Sequence, residues 1–312
     1  MVNHFIDLKS FPPAYLEAVI DRALAVKRNP GDFSGALAGK KMYMLFQKTS
    51  TRTALSFAFG MTGLGGEYFL QNWEDSNFAV GEIRDEVRYI GRNVDIIMAR
   101  LKKNEDIRQM SAYSTVPVIN GCCERYHPCQ AMADLLTIKE LFGTFRVKLL
   151  YTGVRNNVLN SLMASLPRLG GELYAVTPVV NGPSIDRKLY GAAVKTGNFH
   201  DIGNGRPTVD DLREIVKEVD VVYTDTWVDM EFINDESFSA MKNERAAAML
   251  PFQVNGELLE GSTAIVMHDM PIHSGYEISR DAVEAHMETI MRQAENRTYA
   301  QQGILLTLLG EE

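Results

Sequence analysis

The sequence predicts an α/β fold of two similar-sized domains, each a mostly parallel sheet flanked by helices. Three observations carry this expectation. Short β-prone runs alternate with helical spacings along most of the chain, and the alternation restarts after Gly143. A length of 312 residues also suits about two domains.

In chain order, Ser10, Pro12 and Pro13 open a helix whose apolar face is Leu16, Val19, Ile20, Ala23 and Leu24. Strands are expected at residues 41–46, 67–70, 95–100 and 116–120, with helices between them, the clearest at 82–93. A long helix follows at about 128–142, with Ala131, Leu135, Ile138 and Phe142 on one face. The second series places strands at 147–152, 172–177, 220–225 and 264–268, and a last helix at about 287–309. The expected domains are therefore 1–142, completed by the helix 287–309, and 143–286. The long helix and the C-terminal helix join the two.

Bulk properties exclude several functions. A net charge of −8 and a pI of about 5.4 argue against general binding to nucleic acid or anionic membranes. The first residues carry no basic stretch followed by an apolar core, so no signal peptide is expected, and no apolar run approaches a membrane span. Cys122, Cys123 and Cys129 fit neither a disulfide framework nor a zinc site. Reduced thiols in a cytoplasmic protein follow as the expectation.

In parallel α/β sheets, ligands bind beyond the carboxyl ends of the strands. The conspicuous polar clusters of this chain all fall at such ends. Gln47-Lys48-Thr49-Ser50-Thr51-Arg52-Thr53 follows the first strand and opens a helix. Free N–H groups at a helix start favour an anion, hydroxyls add neutral donors, and Arg52 adds a planar fork for phosphate oxygens. The same residues also suit a plain helix cap. Arg100 ends the third strand, and His127-Pro128-Cys129-Gln130 starts the long helix. The run from Gly153 to Asn157, Asp225-Thr226-Trp227 and His268-Asp269-Met270-Pro271 close strands of the second series.

Two rival motifs fail. Gly63-Leu64-Gly65-Gly66 comes after a helix and before a strand, the wrong order for a dinucleotide fingerprint. Gly35-Ala36-Leu37-Ala38-Gly39-Lys40-Lys41 is one spacer short of a P-loop and lacks its final Ser or Thr. His268 and His273 are too few for a metal site, so no metal or cofactor is expected.

Taken in order, these segments resemble the aspartate/ornithine carbamoyltransferase family, and its ornithine branch most. The resemblance spans the chain, from His4-Phe5-Ile6-Asp7-Leu8 through Ser50-Thr51-Arg52-Thr53, Ala99-Arg100, His127-Pro128-Cys129-Gln130, Asn156-Asn157 and Asp225-Thr226-Trp227. It continues through Phe252-Gln253-Val254-Asn255 and His268-Asp269-Met270-Pro271 to Ala294-Glu295-Asn296-Arg297. It implies that the first domain binds carbamoyl phosphate and the second an amine acceptor. Ser50, Thr51, Arg52 and Thr53 would hold the phosphate, with Arg297 reaching back to it. Arg100 would bridge phosphate and carbamoyl oxygens, His127 would donate to the carbamoyl oxygen, and Gln130 would hold the carbamoyl NH2. Read without the resemblance, His127 is a satisfied ring beside a helix start and Arg297 a solvated helix residue. Asn157, Asp225, Asp229, Met230, Asp269 and Met270 match the acceptor side, and Asp269 joins Arg100, His127 and Gln130 as a candidate catalytic group. The resemblance also implies a homotrimer with shared active sites, each completed by the neighbour's loop at residues 72–78.

The chain departs from the family pattern chiefly on the acceptor side. Ala54 stands where a second Arg is usual, Asp269 where Cys is usual, and Asp229-Met230-Glu231 where a Ser-Met-Gly run is usual. Gly153-Val154 replaces Gly-Asp. Arg155 and Lys48 are the chain's own candidates to balance the added carboxylates. Ornithine leads as acceptor. Another diamine or diamino acid, such as putrescine or lysine, and a non-catalytic carbamoyl phosphate binder stay open.

Overall fold

The computed structural model describes residues 3–228 and 239–310. The chain divides into two compact units, Met1–Glu140 with Glu295–Glu312, and Leu141–Ala294.

The first unit contains α1 (Pro13–Arg28), β1 (Lys41–Phe46), α2 (Thr51–Gly63), β2 (Glu67–Asn72), α3 (Ile83–Ile90), β3 (Ile96–Arg100), α4 (Asn104–Tyr113), β4 (Val118–Cys122) and α5 (Pro128–Phe142). Its four strands are parallel in the order β2-β1-β3-β4. The inner strands read as continuous apolar runs because helices cover both faces of such sheets: Ile96, Ile97, Met98 and Ala99 of β3 are all buried. The edge strand β2 differs, with Tyr68, Phe69 and Leu70 exposed.

The second unit contains β5 (Lys148–Arg155), α6 (Asn157–Ser165), β6 (Glu172–Val180), α7 (Arg187–Lys195), β7 (Phe199–Asp201), α8 (Val209–Ile215), β8 (Val221–Thr224), α9 (Ser239–Met249), α10 (Gly256–Leu259), β9 (Ile265–His268) and α11 (Arg280–Ala285). The parallel order is β7-β6-β5-β8-β9, around a core that includes Leu150, Val176, Val222, Val266 and Phe252. The last helix, α12 (Met287–Leu309), passes from this unit into the first.

The expected α/β class with two parallel sheets is the one observed. Boundaries differ for local reasons. The fourth strand starts at Val118 rather than at 116, because Pro117 has no N–H for a ladder and Ser114 Oγ ties up the Val116 carbonyl at 2.7 Å. The third starts at Ile96, since the Asp95 carboxylate accepts from the Lys41 N–H at 2.8 Å. The helix expected at 82–93 closes at Ile90, in turns around Gly91 and Asn93. β5 runs on to Arg155 across a bulge at Gly153, whose φ of +147° lies where side chains are disfavoured. The three-residue β7 has no counterpart in the sequence reading. It is too short for alternation to register.

Among the described residues, no helix is long and apolar enough to cross a membrane, and no group of three His, Cys, Asp or Glu side chains is placed to hold a metal. All three cysteines are buried and none forms a disulfide among the described residues.

Candidate active site

Each sheet begins on a central strand and winds first to one side, then to the other. The order therefore reverses between β1 and β3 in the first unit and between β5 and β8 in the second. Such reversal points open a crevice at the carboxyl ends of the two strands. The candidate residues gather at both.

In the first unit, Ser50 is extended and caps α2, its Oγ accepting from the Thr53 N–H at 3.2 Å. The cap thus occupies the same residues that the sequence reads as an anion cradle. Thr51 is exposed on the first turn and Arg52 half-buried. Thr53 is buried, and its Oγ1 is the meeting point of the site. It lies 3.1 Å from Ser50 Oγ, and it accepts from Arg100 Nη1 at 3.4 Å and from Arg297 Nη2 at 3.3 Å. Arg100 reaches it because Arg100 pairs in register with Phe46 at the end of β1.

His127 and Gln130 come from the start of α5. Arg100 Nη1 lies 3.5 Å from His127 Nε2. A guanidinium only donates, so a neutral imidazole in this contact carries its proton on Nδ1. Burial, then the charges of Arg297, Arg100 and Arg52, hold His127 well below the usual imidazole range. Gln130 Oε1 accepts from Arg297 Nη1 at 2.5 Å, and its Nε2 donates to Asp134 Oδ1 at 2.9 Å. Cys129, between them in sequence, is no nucleophile: burial pushes its thiol up to about 12.

Arg297 points inward because its neighbours are anchored. Asn296, fully buried, donates to Thr137 Oγ1 at 2.9 Å and Glu140 Oε2 at 3.0 Å, and accepts from Lys27 Nζ at 2.8 Å. With its amide turned to suit both neighbours, Gln301 accepts from Arg297 Nε at 3.1 Å and from Ser56 Oγ at 3.0 Å. The arrangement concentrates three guanidinium groups, and the buried Nε of Arg100 has no hydrogen-bond partner among the described residues. A buried unsatisfied donor in a cationic pocket is set up for an anion.

In the second unit, the crevice between β5 and β8 brings Asn156 against Asp225, Nδ2 to Oδ2 at 2.5 Å. Asn156 also caps α6 through the N–H groups of Val158 and Leu159. Asn157, the expected carboxylate holder, is the first helical residue after that cap. Asp225 is buried and accepts from the Thr226 N–H at 2.6 Å. Asp269 and Met270 follow β9. Asp269 Oδ1 lies 3.8 Å from His268 Nδ1, which accepts from the Met270 N–H at 2.8 Å. His268 Nε2 therefore carries the ring proton and faces the buried Glu277 carboxylate at 3.1 Å. His268 is structural, as two loosely supported histidines suggest. Asp229 and Met230 lie outside the described residues.

Arg155, a candidate to balance the added carboxylates, is not paired with Asp269; Asp229 lies outside the described residues. Among the described residues its partners are Asp201 of β7 at 2.8 Å, Thr177 Oγ1 at 3.1 Å and the Tyr190 ring, 5.2 Å away. The unforeseen strand supplies the carboxylate. Of the two aromatics in the 72–78 loop, Phe78 is buried and stacks on Trp73 at 5.3 Å, so local packing accounts for that ring.

Two residues escaped the sequence reading. Asp134 sits four positions after Gln130, a spacing that puts both on one helix face, within a run of α5 that is otherwise almost wholly apolar. Asn156 was visible only as the partner of Asn157.

The aspartate/ornithine carbamoyltransferase model for the carbamoyl-P binding domain matches residues 3–140, and that for the Asp/Orn binding domain matches residues 146–308. The ornithine carbamoyltransferase of Archaeoglobus fulgidus is 39% identical over 100% of this chain and 99% of its own length. That of Haloquadratum walsbyi is 37% identical over 99% and 98%. Among solved structures, ornithine carbamoyltransferase from Pyrococcus furiosus superposes with a TM-score of 0.85 at 34% identity, covering 97% of this chain and 96% of that one. The chain belongs to the aspartate/ornithine carbamoyltransferase family.

Proposed function

We propose that this chain is a carbamoyltransferase that moves the carbamoyl group of carbamoyl phosphate to the δ-amine of ornithine. The observation that carries this is the meeting of Arg100 and Arg297 on one buried threonine, Thr53, beside His127 and Gln130. The naming of full-length relatives as ornithine carbamoyltransferases supports the acceptor.

In this reading Ser50, Thr51, Arg52, Thr53 and Arg297 hold the phosphate dianion, Arg100 and His127 face the carbamoyl oxygen, and Gln130 accepts from the carbamoyl NH2. The acceptor nitrogen attacks the carbamoyl carbon, and its lone pair becomes the new C–N bond. Negative charge gathers on the carbamoyl oxygen, where the permanent charge of Arg100 stabilises it. The C–O bond to phosphate then breaks, and the leaving phosphate takes the proton released by the amine. No covalent enzyme intermediate is needed. Asn157, Asp225, Asp269 and Met270 are the acceptor side in this reading.

We also propose a homotrimer. The exposed Tyr68, Phe69 and Leu70 on the edge strand, and a neighbouring cavity of about 590 Å³ lined in part by Tyr43, Phe69 and Tyr89, form an apolar surface suited to a second copy.

Phosphate release from carbamoyl phosphate with a panel of amines tests the function. Release should need ornithine and fall sharply with putrescine, lysine or aspartate. Equal release with putrescine would move the acceptor assignment, and no release with any amine would leave only a carbamoyl phosphate binder.

A further inference from the structure

We propose that Asp134 is a positioning residue that locks the Gln130 amide, so that its oxygen and not its nitrogen is presented to the carbamoyl group. The inference rests on the carbamoyl phosphate reading and deepens it.

An amide side chain can turn over, exchanging its oxygen for its NH2 at little steric cost. Here both neighbours forbid the exchange. Asp134 is fully buried, and its Oδ1 accepts from the Gln130 NH2 at 2.9 Å. Arg297 offers only donors, so the atom 2.5 Å from its Nη1 must be the Gln130 oxygen. Asp134 and Gln130 are one helical turn apart on α5, and the rigid helix fixes their separation. A carboxylate with no exposure is a costly residue to keep in a helix core unless it is held by hydrogen bonds. This one binds the NH2 of an amide whose oxygen accepts from Arg297. The amide oxygen retains a second lone pair, which can accept from the carbamoyl NH2. A turned-over amide would set NH2 against NH2 and against Arg297.

The proposal separates Asp134 from the phosphate contacts, and that separation is testable. Affinities for carbamoyl phosphate, acetyl phosphate and inorganic phosphate are measured by calorimetry for wild type, Asp134→Asn, Asp134→Glu, Gln130→Met and Asp134→Asn/Gln130→Met. Acetyl phosphate has nearly the same shape but a methyl group in place of NH2. Wild type should prefer carbamoyl over acetyl phosphate. Asp134→Asn, whose amide can also donate, should lower that preference about tenfold, the weight of one hydrogen bond. Its affinity for inorganic phosphate should stay within about twofold. Asp134→Glu, which keeps the carboxyl group, should keep more of the preference than Asp134→Asn. Because Asp134 acts through Gln130, the double variant should match Gln130→Met.

An unchanged preference in Asp134→Asn overturns the proposal. So does a parallel loss of inorganic phosphate binding, which marks a merely structural residue, and so do losses that multiply in the double variant. If wild type itself shows no preference for carbamoyl phosphate, the underlying reading fails, and the proposal with it.

Discussion

Arg297 and Gln130 stand 167 positions apart and meet through a hydrogen bond of 2.5 Å between Nη1 and Oε1. The last helix thus closes a site begun by the first strand, and the same guanidinium reaches Thr53 with its other terminal nitrogen at 3.3 Å. The fork is what allows both contacts. A lysine keeps the charge but reaches one partner at a time.

Arg297→Lys should therefore weaken carbamoyl phosphate binding by about ten- to hundredfold, the weight of one charged hydrogen bond. Calorimetric titration checks this, with thermal melting to show that the fold is kept. Unaltered binding would place Arg297 outside the phosphate site.

His127 sets an expectation for pH. Burial and three arginines keep its folded imidazole neutral well below the usual range. The unfolded chain takes up a proton near pH 6.5, which the folded chain refuses. Stability should thus rise with pH up to about 6.5 on this group's account and gain nothing from it above. The slope below 6.5 is about 1.4 kcal/mol per pH unit. His127→Gln should flatten the corresponding part of a urea-unfolding series between pH 5 and 6.5. The rate should show no limb from His127 near neutrality. Turnover at low ornithine should instead climb about tenfold per pH unit from 6 to 9, as the amine, with a pKa near 10.4, loses its proton.

The pair of Arg155 and Asp201 is nearly closed to solvent, with side-chain exposures of 16% and 7%. Asp201→Asn should strand a guanidinium and cost about 3 kcal/mol of stability. Because both residues lie in the second unit, carbamoyl phosphate binding to the first should be unaffected. A chemical-denaturation midpoint equal to wild type would show that the pair carries little.

Subunit mixing examines the trimer. Trp73→Ala and Arg52→Ala proteins should each be nearly inactive. Together, after exchange of subunits, they should recover part of the wild-type rate, because some shared sites regain both residues. A monomer by light scattering rules the idea out.

The sequence and the structure agree best where chemistry and chain order coincide. The long helix and the C-terminal helix end at the expected residues, 128–142 and 287–309. The strand ends carry the expected polar clusters because a parallel sheet has only one mouth. What the sequence concealed is pairing across space. Asp201 gives no sign of meeting Arg155, since β7 is three residues long and its neighbour in the sheet is fixed by winding order. Thr53 reads as one hydroxyl among several, and only the register of Phe46 with Arg100 makes it a shared acceptor. Asp134 reads as an ordinary helical charge until α5 proves to be buried on almost all sides.

The most direct test of the central claim follows a labelled carbamoyl group. Carbamoyl phosphate carrying ¹³C at the carbonyl is incubated with ornithine and the protein, and the carbon is followed by NMR while phosphate is measured in parallel. The expected result is a single new ureido carbon, that of the δ-carbamoylated amino acid, formed in equal amount with phosphate and lost in Arg100→Ala. Phosphate released without a ureido product, or product formation that survives loss of Arg100, would contradict transfer at this site.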